Sequence, residues 1–70
     1  MSATAAARWM LADGTPVTCR EKLKLLDENQ AELAQMMQDA FEDAVLMGVD
    51  EQAMRGALSE LVASLKSPRR

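Results

Sequence analysis

The stretch from Thr18 to Met47 most constrains the fold of this chain, because it has the apolar spacing of one long amphipathic helix. Its apolar positions recur every three or four residues and, at about 100° per residue, cover an arc of roughly 200°. A helix that packs on one neighbour needs an apolar stripe of only somewhat more than about 100°. We therefore expect two contact surfaces on this helix, of which the helix that follows fills one.

Sequence signals mark both ends of this helix, which we predict over residues 19–47. Thr18 followed by Glu21 fits a capping box, in which the hydroxyl accepts from a first-turn amide and the carboxylate reaches back. Gly48 is suited to the left-handed position that follows the last helical turn.

The polar run 27–30 is the weak point, since Asp27 and Gln30 could form a second capping box that breaks the helix. Because the apolar rows stay in phase on both sides of this run, we expect the helix to continue through it. Gln30 itself falls on the apolar seam. It either pairs with its symmetry mate in an oligomer and sets the register, or lies at the edge of the stripe and reaches water.

A second, shorter helix is predicted over residues 51–66, with Asp50 as its N-cap and an end imposed by Pro68. Within it, Gly56 could permit close approach of another helix. A connection as short as 48–50 makes consecutive helices antiparallel neighbours. The expected fold class is therefore all-α, an antiparallel helical hairpin within a single small domain, 1–70.

The N-terminal part is expected to be a frayed tail over residues 1–7 and an arm over 8–18. Asp13-Gly14 lies between two short apolar runs, which predicts either a β-hairpin with a two-residue type I′ turn or an extended arm. Trp9 in this arm either packs over the end of the helical core or serves as an aromatic anchor for another protein. Residues 67–70 form a short basic tail.

A chain of 70 residues usually requires an additional constraint to be stable, such as a disulfide, a metal or a partner chain. Cys19 is the single cysteine and histidine is absent, which excludes an intrachain disulfide and a typical zinc site. A partner chain remains, so we expect a homodimer that forms a four-helix bundle. The residues predicted at the interface are the large apolar side chains of the arm and of the two helices: Trp9, Leu23, Leu26, Leu33, Met36, Met37, Phe41, Met54, Leu58 and Leu61.

The residues needed for catalysis are scarce, and we expect neither an enzyme nor a bound cofactor or metal. Cys19 is the one strong nucleophile, and it has no histidine or second cysteine to assist it. The carboxylate pairs Glu28 with Glu32 and Asp39 with Asp43 lack the histidines of a di-iron bundle, so a solvated face explains them better.

Charge is unevenly distributed, with eight carboxylates and no Lys or Arg from Asp27 to Glu51. A net charge of −3 without a basic face makes nucleic acid an improbable partner. We thus predict a non-enzymatic interaction module, an adaptor or regulator, whose flexible methionines contact a second copy or another protein. The alternative is a small nucleic-acid-binding regulator that acts as a dimer through its basic ends. We expect a cytoplasmic protein, since we find neither a signal peptide nor a membrane span.

Overall fold

The computed structural model describes residues 8–69, which contain two helices and no strand. Helix α1 runs over Arg20–Leu46 and helix α2 over Glu51–Ala63. The predicted all-α class is confirmed for this part of the chain, whereas the predicted frayed tail, 1–7, lies outside the described residues. The chain divides into two compact units, Met1–Leu33 and Ala34–Arg70, which are described separately below.

The first turn of α1 begins one residue later than predicted. Cys19 occupies the N-cap, because its carbonyl accepts the first helical hydrogen bond from the Leu23 amide at 2.9 Å. The predicted capping box with Thr18 at this position is therefore wrong. The backbone amides of Lys22 and Glu21 lower the pKa of the Cys19 thiol, as expected for a side chain beside the free amides of a helix N-terminus.

The polar run 27–30 lies inside α1 without a break, as predicted. Two of its side chains are hydrogen-bonded to the arm. The Trp9 indole Nε1 donates to Asp27 Oδ1 at 2.8 Å, and the Arg8 guanidinium Nη1 donates to Gln30 Oε1 at 3.0 Å. A polar side chain that is bonded elsewhere does not compete for the helix backbone, which explains why the helix continues.

The end of α1 forms a Schellman motif around Gly48. This glycine has a φ of +98°, its amide donates to the Val45 carbonyl at 3.0 Å, and the Val49 amide donates to the Ala44 carbonyl at 2.9 Å. The predicted C′ position of Gly48 is confirmed.

Helix α2 begins as predicted but ends three residues early. Asp50 Oδ2 accepts from the Ala53 amide at 2.9 Å, which confirms Asp50 as the N-cap. The predicted end at Lys66 is wrong, because Ser64 caps the helix. Its hydroxyl donates to the Leu61 carbonyl at 2.8 Å, and this local bond ends the helix before Pro68 acts.

The arm turns through a three-residue loop, 12–14, rather than the two-residue turn predicted at Asp13-Gly14. The Leu11 amide donates to the Thr15 carbonyl at 2.7 Å, and the Gly14 amide donates to the Leu11 carbonyl at 3.0 Å. A type I′ turn needs positive φ at both central residues, and Gly14, at +90°, is the only one of the pair that has it. Beyond the loop the arm pairs with itself through one isolated β-bridge, Met10 to Pro16.

In the second unit the C-terminal part of α1 packs against α2. Arg55 lies over the Phe41 ring, with its guanidinium carbon 4.8 Å from the ring centroid, and Met37 shares a groove with Leu58 and Val62. Phe41 contacts Arg55, whereas Met37, which comes earlier in α1, lies beside Leu58, which comes later in α2. The two helices are therefore antiparallel. Gly56 does not mediate a close approach, since a Cβ atom there would meet nothing within 4 Å.

Candidate interaction surfaces

The structure divides the predicted interface residues into two groups. Six are half-buried within their own unit: Trp9, Leu23, Leu26, Phe41, Met54 and Leu58. Four are exposed, with exposed fractions between 41% and 68%: Leu33, Met36, Met37 and Leu61. The second group is therefore the one available to another chain.

Trp9 lies in the first unit beside a shallow groove. Trp9, Pro16, Val17 and Leu23 supply its apolar lining, and its volume is about 640 Å³. Because the indole is half-buried and its N–H is bonded to Asp27, its geometry fits the role of packing over the helix better than that of a free anchor.

An exposed row of side chains runs along the C-terminal part of α1 and ends at Met47, the residue after the helix, whose amide still bonds to the Asp43 carbonyl at 3.0 Å. Met36, Ala40, Asp43 and Met47 follow one another at intervals of four, three and four residues, which places them on one face. We call this row the α1 stripe. Met36 and Met47 are 68% and 78% exposed, although methionine side chains are usually buried.

The α1 stripe is also acidic. Asp43 lies in it and Asp39 lies beside it, and α1 has no Lys or Arg from residue 34 to its end. Among the described residues no salt bridge joins either carboxylate to a cation. Gln35 donates to Asp39 Oδ1 at 2.9 Å, and this bond leaves the negative charge in place.

A second exposed apolar cluster lies where α2 ends. Leu61, Val62 and Leu65 are between 61% and 77% exposed. Leu61 and Val62 lie in the last turn of α2, whereas Leu65, Lys66 and Arg69 lie beyond its end at Ala63. We call these five residues the α2 patch. The sequence-based interface contained Leu61 alone, although Val62 and Leu65 share its helical period.

Cys19 is exposed, and the amides of Lys22 and Glu21 lower the pKa of its thiol by hydrogen bonding to the thiolate. A reactive thiol still requires an acid, a base or a second sulfur to turn over a substrate. Within residues 8–69 no group of three or more Cys, Asp or Glu side chains is arranged to hold a metal ion.

Neither helix is long and apolar enough to span a membrane. Comparisons with protein-family models, with curated proteins and with solved structures found no match to this chain.

Proposed function

We propose that this chain is a non-enzymatic protein-interaction module, an adaptor or regulator, that self-associates through the exposed apolar face of α1 to form a helical bundle. The dimer supplies the buried surface that two helices and a short arm do not provide alone.

The observation that carries this proposal is the scarcity of buried apolar side chains. Ala44, at 7% exposure, is the one buried hydrophobic residue in 8–69. Met36, Leu33 and Leu61 are each more than half exposed. Since burial of apolar surface is the main favourable term in folding and association, a second copy that covers these side chains stabilises both chains.

Met36→Asp tests the proposal directly. Because Met36 is largely exposed in the single chain, an aspartate there is compatible with the hairpin, whereas in a dimer interface it buries an unpaired charge. We expect sedimentation equilibrium to show a dimer for the unaltered chain and an association at least about tenfold weaker for Met36→Asp.

The matched control is Ala31→Asp, which adds the same charge to the opposite, polar side of α1. We expect this variant to dimerise like the unaltered chain, and circular dichroism verifies that both variants keep their helices. An unaltered chain that stays monomeric and folded at millimolar concentration contradicts the proposal, and so does equal dimerisation of the two variants.

A further inference from the structure

The two exposed apolar clusters of the second unit carry opposite charges. The α1 stripe combines Met36 and Met47 with the carboxylate of Asp43, and the carboxylate of Asp39 lies beside it. The α2 patch combines Leu61 and Leu65 with the cations of Lys66 and Arg69. Each cluster therefore has the apolar content and the charge that complement the other.

Self-pairing of either cluster is unfavourable. Two α1 stripes placed face to face bring Asp39 and Asp43 of both copies together, where no cation of residues 34–46 can neutralise them. Two α2 patches placed face to face likewise oppose Lys66 and Arg69 to themselves. Like charges across an interface select against such pairings, whereas opposite charges set orientation and partner choice.

A dimer with a two-fold axis can avoid both of these like-charge contacts. It places the α1 stripe of each copy against the α2 patch of the other, so that the same contact forms twice. We infer that the dimer is built in this way, with the acidic stripe of α1 packed on the basic end of the partner subunit's α2. The inference rests on the proposed self-association and adds to it which surfaces meet.

Paired charge reversals test the arrangement. Asp39→Lys with Asp43→Lys reverses the charge at the α1 stripe. Lys66→Glu with Arg69→Glu reverses the charge of the α2 patch. Neither pair threatens the fold, because Lys near the C-terminus of α1 suits the helix dipole and residues 66–69 lie beyond α2. We expect sedimentation equilibrium of each double variant alone to give a dissociation constant at least about tenfold higher than that of the unaltered chain.

Mixing the two double variants is the decisive step. In the mixed pair, the reversed stripe of one chain meets only the reversed patch of the other, and the two unreversed clusters meet each other. Both contacts are then complementary again. We expect native mass spectrometry to show the heterodimer in large excess over either homodimer, and its dissociation constant to return to within about threefold of the original.

Glu28→Lys with Glu60→Lys is the control. It changes the net charge by the same amount as the stripe reversal, but on side chains outside both clusters. Two results overturn the inference while the proposed function stands. In the first, the chain dimerises but the charge reversals change its dissociation constant no more than this control does. In the second, the reversals weaken the dimer but mixing the two double variants does not restore it. A chain that never dimerises contradicts the proposed function, and the inference with it.

Discussion

The indole nitrogen of Trp9 lies 2.8 Å from Oδ1 of Asp27, which is eighteen residues further along the chain and about one turn of α1 after Leu23. Together with the bond from Arg8 to Gln30, this contact attaches the arm to the helix. The polar residues that made the middle of α1 look like a break in the sequence are thus the residues that bind the arm.

Asp27→Ala should release the arm from α1. The substitution removes the acceptor of the Trp9 N–H, and a hydrogen bond of this kind contributes about 1 kcal/mol. Since Trp9 is the only tryptophan, its fluorescence reports the arm selectively. We expect the emission maximum to shift to longer wavelength as the indole becomes more exposed to water.

Two further variants make this test specific. Asp27→Asn keeps an acceptor oxygen and should preserve most of the original emission. Glu28→Ala removes a neighbouring carboxylate whose one ion pair, to Lys24, is long at 4.0 Å and exposed, so the emission should not change. An identical spectrum for Asp27→Ala and Glu28→Ala would show that the indole contact does not hold the arm.

The parts of the fold that were predictable from sequence are the helix ends at which one residue type is strongly preferred and is present. Asp50 and Gly48 are the preferred residue types at an N-cap and at a C′ position, and both are found there. Cys19 and Ser64 were not predicted, because neither is the usual choice where it acts. A thiol at the N-cap and a serine bond to Leu61 depend on local geometry that residue preferences do not contain.

Gly48→Ala and Gly56→Ala should change stability in opposite directions. At Gly48 the φ of +98° disfavours any L-residue, so we expect the free energy of unfolding to fall by about 1–2 kcal/mol. At Gly56, inside α2, an alanine should raise it by about 0.5–1 kcal/mol. Neither added Cβ meets an atom within 4 Å, so the difference reports backbone conformation alone.

Urea denaturation of both glycine variants at one fixed protein concentration measures this difference, because the stability of a self-associating chain depends on concentration. A loss of stability at Gly56 would show that this position is covered by another chain. Equal stability of Gly48→Ala and the unaltered protein would be incompatible with the Schellman motif.

Asp50→Ala should destabilise the start of α2. The carboxylate accepts from the Ala53 amide at 2.9 Å, and loss of an N-cap acceptor costs about 1 kcal/mol. Asp50→Ser, which retains an acceptor oxygen, should stay within about 0.5 kcal/mol of the unaltered chain in the same urea titration. If serine and alanine are equally destabilising, the side chain acts through its charge and not as a cap.

Periodicity located the apolar positions of the two helices, but it did not separate those that pack within the chain from those that remain exposed. Phe41 and Met36 are both apolar residues of α1, yet Arg55 covers the ring of Phe41 while Met36 faces solvent. That distinction depends on where α2 begins, how it pairs with α1 and where Ser64 ends it. These are properties of the folded unit, and helical spacing in one segment does not encode them.

Cys19 should titrate at lower pH in the folded protein than in the unfolded chain. The Lys22 and Glu21 amides hydrogen-bond its thiolate and lower the pKa, so a larger fraction is ionised at any pH below the midpoint. Iodoacetamide reacts with the thiolate, and the pH midpoint of its alkylation rate should therefore be lower for folded protein than for protein in urea. The control is Ala31→Cys in a Cys19→Ser background, an exposed thiol inside α1 whose neighbouring amides are already bonded along the helix. Equal midpoints for the two folded thiols would show that the cap amides do not stabilise the Cys19 thiolate.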